Sequence, residues 1–338
     1  MEKKQKQFYV TVDYAKLIAA GIVVFGHCYL ADTAGMAWFA GLVKAAVQMF
    51  FVSNGYFLYQ NGTLQDREKM KRYCRHFLVL LCGWILIYYL WNMLFTEHGQ
   101  AWFYTYTMQT VQWVCGLNDG HLWYVQNLLA VAVLLHLLDK TSARSWEVFA
   151  AALLAGMTGG LLFRALFGVL CGLRLADIKA RGENGNAGSG IKAEEAAYAV
   201  LGAAGLVVMI IIYQCPNVMA GNAWRDGVAG VGSMFAGMML ALAAIETDLH
   251  LQRRGVRLWD SARLRKSSSI IYFIHLMIVP LSTAAVKYLL VNPGTVEHGG
   301  IMWSLSVGLL TFAVGALAGI VVPALAKCRW FAWLGKLY

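Results

Sequence analysis

Residues 12–30, "VDYAKLIAAGIVVFGHCYL", form an apolar run that carries Asp13 and Lys16 near one end and His27 deep inside it. A helix of ~20 apolar residues crosses the hydrocarbon core of a bilayer, so most of this stretch reads as membrane-embedded. An ionisable side chain within such a span is costly, and by default it marks a functional site. The opening "MEKKQKQFYV" is basic but has no small-residue cleavage site before the run. The first segment therefore reads as a retained span and not as a cleaved leader.

Working outward, 59% of the 338 residues are hydrophobic and only 14% are charged, whereas soluble domains average about 25% charged. The expected fold is an all-α integral membrane protein with one transmembrane domain over 1–338. Spans are expected at 13–31, 38–59, 76–96, 121–138, 146–158, 159–173, 194–213, 227–246, 268–291 and 301–326. Residues 146–173 alone fit either one tilted helix or two short ones meeting near "MTGG". Charge decides between them. With ten spans and both termini cytoplasmic, 23 of the 28 Lys and Arg fall on the cytoplasmic side. Nine spans would put "DREKMKRYCRH" and "LQRRGVRLWDSARLRK" on opposite faces, against the positive-inside rule.

The net charge of +10 is thus accounted for by topology and anionic lipid headgroups, with no nucleic-acid partner. The Gly-rich stretch 180–196 reads as a flexible cytoplasmic loop. The Trp- and Tyr-rich segment 96–120 is expected at the outer interface. The seven cysteines are scattered without a C-x-x-C pair, so neither a metal site nor a disulfide framework is expected.

In the first span Lys16 and His27 are eleven residues apart, which places them on one face and ~16 Å apart along the axis. Lys16 falls toward the cytoplasm and His27 toward the outer half. Asp13 and Lys16 are i,i+3 neighbours that can pair. The competing reading is a neutral histidine hydrogen-bonded inside the bundle, with Lys16 snorkelling to the headgroups. Arg225 with Asp226 reads as a pair at the outer end of a span, and Arg164 and Lys287 as structural or snorkelling cations.

The stretch "DYAKLIAAGIVVFGH" resembles the first helix of the acyltransferase family 3 membrane proteins, with Lys16 at a position where Arg is usual. "MFFVSNGYFLY" is similar to the family's second-helix segment, with Asn54 in place of Ser. "KRYCRHFL" carries an R-x-x-R pair, Arg72 and Arg75. "GHLWYVQNLL", "WRDGVAGVGSMFAG" and "SSSIIYFIHLMIVPL" resemble its later motifs in order. The resemblance runs over essentially the whole chain. Within the family it is nearest in flavour to the membrane domain of the VanT-type serine racemases of vancomycin resistance. There a cytoplasmic racemase domain follows the last span; this chain reads as that membrane domain or as a free-standing relative.

The resemblance implies a multi-pass enzyme of the bacterial cytoplasmic membrane. It would transfer an acyl group, typically acetyl, from cytoplasmic acyl-CoA as co-substrate to a hydroxyl at the outer face. A cell-envelope glycan or a small hydroxyl compound would be the acceptor, and a homodimer is an allowed assembly. His27 would act as general base or accept the acyl group itself, with Lys16 lining the path and Asp13 orienting Lys16. Arg72 and Arg75, with Lys71 beside them, would grip the CoA phosphates. His121, Trp123, Tyr124, His275 and Asn54 are the acceptor-site candidates, His121 and its neighbours lying at the outer start of the fourth span. Two other readings stand beside this one: a transporter-like domain supplying serine to a racemase, and a structural anchor.

Overall fold

The computed structural model describes residues 9–33, 35–95, 122–138, 146–157, 160–183, 189–214, 224–256, 261–290, 300–336 and 338. Among the described residues there are ten α-helices and no strands. They are α1 (Val10–His27), α2 (Phe39–Gln60), α3 (Arg67–Phe95), α4 (Trp123–Leu137), α5 (Trp146–Met157), α6 (Leu161–Glu183), α7 (Ser189–Gln214), α8 (Trp224–Arg253), α9 (Ala262–Leu290) and α10 (Ile301–Leu325). Short 3-10 segments occupy Leu30–Asp32 and Arg329–Lys336. Six helices are long and apolar enough to cross a membrane. The protein is an all-α, multi-pass membrane protein. His121 and the whole of 96–120 lie outside the described residues.

Residues 146–173 hold two helices: α5 stops at Met157 and α6 begins at Leu161. With 12 residues, α5 is only ~18 Å long, short of the ~30 Å hydrocarbon core. α6 continues through Glu183 and α7 starts at Ser189. The loop expected over 180–196 is therefore corrected in its described part: 180–183 and 189–196 are helical, and 184–188 lie outside the described residues. Ion pairs hold these helix ends together. Arg174 meets Glu194 at 3.0 Å, buried Lys179 meets Glu195 at 2.5 Å and also Glu246 of α8, and Tyr59 of α2 donates to Asp177 at 3.1 Å. Each helix end thereby gains a partner that the loop reading did not supply.

α2 and α8 form the centre of the bundle, and small residues let neighbouring backbones approach. A Cβ on Gly55 would overlap the Val169 carbonyl of α6, and one on Gly172 would overlap the Val52 carbonyl of α2. Gly205 of α7 and Gly232 of α8 meet in the same way. Because backbone cannot yield as a side chain can, Gly172→Ala is expected to destabilise the fold by about 2 kcal/mol, within the range for overpacked cores. The check is a lower melting temperature in detergent by size-exclusion chromatography after heating.

One end of the bundle collects the first residues of α1, α3 and α9 and the last residues of α2, α8 and α10. Buried Asp248 of α8 accepts the backbone N–H groups of Thr11 (2.9 Å) and Val12 (3.0 Å). It thus satisfies orphan donors and the positive dipole end at the start of α1. The Tyr9 and Tyr56 hydroxyls lie 3.2 Å apart at the same end. The basic segments 60–75, 247–256 and 261–267 belong here too, so this is the end where the positive-inside rule expects the cytoplasm.

Candidate active site

The polar residues of α1 are met by a polar stripe on α9. Asp13, 1% exposed, accepts a short hydrogen bond from Ser261 and a 2.8 Å contact from Arg265 Nη1. One carboxylate oxygen thus turns to a guanidinium and a hydroxyl on α9, while the attraction between Asp13 and Lys16 on the same helix remains. Lys16 itself reaches over the Phe57 ring, with Nζ 4.9 Å from its centroid, a cation–π contact suited to a poorly hydrated site.

Lys16 and Arg265 line a cavity of about 190 Å³ together with His76 of α3, Asn54 of α2, Tyr124 of α4 and Tyr272 of α9. Phe50, Phe77, Leu80 and Phe273 supply much of its apolar wall. Asn54 ties the far side together: it accepts a short hydrogen bond from Tyr73 and is also hydrogen-bonded to Tyr124. The residue that departs from the usual Ser is therefore a junction between α2, α3 and α4. At the mouth, Tyr338 lines the cavity and its ring lies 4.9 Å from Lys266 Nζ.

From the cavity the α9 stripe continues inward. Arg265, Ser268, Ser269 and Tyr272 recur at helical spacing, and the next turn brings His275. His275 is buried, its Nδ1 lies 2.6 Å from the Tyr272 carbonyl, and its ring centroid is 5.0 Å from that of His27. Asp13–Arg265 at one level and His27–His275 at another mean that α1 and α9 run in the same direction. The histidine pair stands near the middle of α9, 13 residues from its first residue and 15 from its last. His27 itself is exposed. It is the last residue of α1 and lies level with the middle of α9.

Residues 9–326 match the sequence profile of acyltransferase family 3, described as an acyltransferase domain. The chain belongs to acyltransferase family 3. No match emerged among curated proteins or among solved structures. As a family member the chain is a membrane acyltransferase, and the remaining candidates can be placed on that basis.

The R-x-x-R pair divides. Cavity-lining His76, Phe77 and Leu80 define one face of α3 together with Tyr73. At ~100° per residue, Arg72 lies at the edge of that face and Arg75 on the far side of the helix. Both are exposed. Arg72 Nε is 3.4 Å from the Glu68 carbonyl, and Lys71 pairs with Glu68 at 2.7 Å. Sharing an i,i+3 relation did not put both arginines on the cavity face, because Tyr73 and His76 occupy its centre.

Trp123 and Tyr124 do not stand at an outer surface. Tyr124 packs against Phe51 (4.7 Å), Tyr272 (5.4 Å) and Phe50 (5.9 Å), and Trp123 against Phe51 (6.0 Å). The other end of α4, Leu135 and His136, sits beside Leu64 and Arg67 at the basic end. With 15 residues, α4 rises only ~22 Å from that end, so its aromatic start is inside the bundle. His121 lies outside the described residues, and Arg225 and Asp226 fall in the first turn of α8. Buried Arg164 donates to the Gly156 carbonyl at 3.0 Å, which suits a structural role; Lys287 is exposed.

Arg265, His76, Tyr73, Ser261 and Asp248 are the site and support residues that the motifs did not single out. For Arg265 the signal was weak: it lies ten residues before His275, about 80° around the helix from it, whereas Lys16 and His27, eleven apart, are offset by only about 20°.

Proposed function

We propose that this acyltransferase moves an acyl group, acetyl by preference, from acyl-CoA at the basic, cytoplasmic end to a hydroxyl acceptor approaching from the opposite face of a bacterial cytoplasmic membrane. The observation that carries the reading is the continuous polar column between α1 and α9. It begins at a cation-lined cavity at Lys16 and Arg265 and ends at His27. Lys16 and Arg265, with His76 beside them, suit the phosphates of CoA, and Arg72 at the cavity edge suits their outer part. The aromatic wall suits the thin pantetheine arm. Arg75 and Lys71 contribute long-range attraction only.

At the inner end of the column, His27 takes the proton of the acceptor hydroxyl as its oxygen attacks the thioester carbon. The carbon–sulfur bond then breaks and His27 returns the proton to the departing thiolate. Asn54, Tyr73 and Tyr124 hold the cavity wall against which the donor lies. A cell-envelope glycan or a small hydroxyl compound is the acceptor class.

The test uses purified protein in liposomes, with acetyl-CoA binding followed by calorimetry and thiol release followed by a chromogenic disulfide. Wild-type protein is expected to bind and slowly turn over acetyl-CoA. Lys16→Ala and Arg265→Gln are each expected to raise KM about tenfold, as loss of one charge-assisted phosphate contact worth ~1.5 kcal/mol requires. Protein that neither binds nor cleaves acetyl-CoA, yet moves labelled serine across the vesicle, would overturn the proposal.

A further inference from the structure

Tyr338 and Lys266 stand at the mouth of the cavity without a task in the mechanism so far. Beyond α10 the chain turns through the 3-10 segment Arg329–Lys336, which touches α3 as well as α10. Leu334 packs against the main hydrophobic cluster and so fixes the segment to the bundle, while Trp333 is exposed. The segment thereby brings Tyr338, which is part-buried, to the cavity wall. Lys266 Nζ lies 4.9 Å from the centroid of its ring, a cation–π contact. Lys266 is itself exposed and is not a lining residue, so the ammonium and the cavity meet different parts of the ring. Depth along the cavity is set by α9. Lys266 is four residues into that helix, next to Arg265, whereas the cavity-lining rings Tyr272 and Phe273 are six and seven residues further on, ~9–10 Å by helical rise.

We infer that Tyr338 is the platform on which the purine base of the donor stacks, so that the segment after α10 forms one wall of the donor site. This deepens the acyl-CoA reading above and rests on it. An acyl-CoA carries a flat purine at one end, phosphates beside it and the thioester at the other end. With the phosphates at Lys16 and Arg265 and the thioester directed along the column toward His27, the purine points back to the basic end, where Tyr338 lies. A base needs no hydrogen-bonding partner to be held by an aromatic ring, because it has a π-face of its own. Lys266, touching the ring from outside the cavity, holds its orientation. Nothing is transferred at this subsite. Tyr338 adds affinity and selects a donor that bears a nucleotide over the bare acyl-pantetheine arm. The ring and not the phenol hydroxyl is the part that stacks.

The experiment compares whole and divided donors on the full chain in liposomes, with binding followed by calorimetry. The ligands are acetyl-CoA, acetyl-phosphopantetheine, which lacks the adenosine half, and the adenosine bisphosphate half of coenzyme A, which lacks the acyl arm. Tyr338→Ala is expected to weaken acetyl-CoA and the adenosine bisphosphate about tenfold, toward the low end of what one base stacked on an aromatic ring contributes, and to change acetyl-phosphopantetheine by less than about twofold. Tyr338→Phe, which keeps the ring, is expected to bind all three as wild type does. Tyr338→Leu, apolar and bulky but without a π-face, is expected to behave like Tyr338→Ala. Unchanged acetyl-CoA affinity in Tyr338→Ala would overturn the inference. Equal weakening of all three ligands would overturn it too, since the ring would then only support the cavity wall. Wild-type protein that binds acetyl-phosphopantetheine as tightly as acetyl-CoA, whatever stands at 338, would remove the base subsite and keep the donor reading. Binding of the adenosine bisphosphate that depends on the Tyr338 ring, with no cleavage of acetyl-CoA, would keep the subsite and remove the transferase reading.

Discussion

His27→Ala, in protein that still folds and still binds acetyl-CoA, is expected to lower acyl transfer by about 10²–10⁴-fold, the contribution of a positioned general base. KM for the donor is expected to change little. Lys16 and Arg265 line the cavity at one end of the column, whereas His27 is eleven residues farther along α1, ~16 Å by helical rise. A group so far from the proposed phosphate site is expected to act on the chemical step and to leave donor affinity alone. The contrast with Lys16→Ala, which raises KM, is what separates a transferase column from two unrelated polar residues. Steady-state kinetics in liposomes over a range of acetyl-CoA concentrations measures both. A His27→Ala variant with wild-type kcat would remove the base assignment, and a large KM effect would move His27 into the donor site.

The helix count was legible because charge and hydropathy act on whole segments. Placing 23 of 28 basic residues on one side leaves few topologies, and the ten described helices follow the expected spans closely. What escaped depends on depth and on partners distant in sequence. Uniform hydropathy along α4 carries no information about where the helix starts in the membrane. Its depth follows from Tyr124 fitting among Phe50, Phe51 and Tyr272, side chains on two other helices. The loop expected at 180–196 was read from glycine content, but its flanks are held helical by Lys179–Glu195 and Arg174–Glu194, pairs visible only once α6 and α7 lie side by side.

The site was half legible for a related reason. Within α1 the spacing of Asp13, Lys16 and His27 defines a polar face, and that inference uses only helix geometry. The facing stripe on α9, from Arg265 to His275, winds about 80° around its helix and sits among serines and tyrosines that do not interrupt hydropathy. Asp13 could be assigned a partner only from its neighbours on the same helix. The arginine that binds it is 252 residues away. Asp248, 237 residues from Thr11, is a further case: a buried carboxylate near the end of a span looks like a cost until the start of another helix is seen against it.

Arg265→Ala is expected to be the most destabilising substitution at the site, by about 3 kcal/mol, at the low edge of the range for stranding a buried charge because Ser261 still donates. Arg265 is 44% exposed and gains little from the pair, while Asp13 is 1% exposed and cannot be solvated without it. The cost therefore lies with the carboxylate left behind. It follows that Asp13→Asn in the same chain should recover stability: the Asp13→Asn/Arg265→Ala double variant is expected to melt above Arg265→Ala alone, although two native contacts are lost. Thermal unfolding in detergent, scored as a double-mutant cycle, measures this coupling. Losses that simply add would show that the carboxylate finds another partner, and the natural one to examine then is Lys16, the next cation on its own helix. Recovery of stability without recovery of acetyl-CoA affinity is the expected signature of a residue with two tasks. Arg265 neutralises Asp13 with one face of its guanidinium and offers the exposed remainder to the cavity, and only the first task can be replaced by removing the charge it answers.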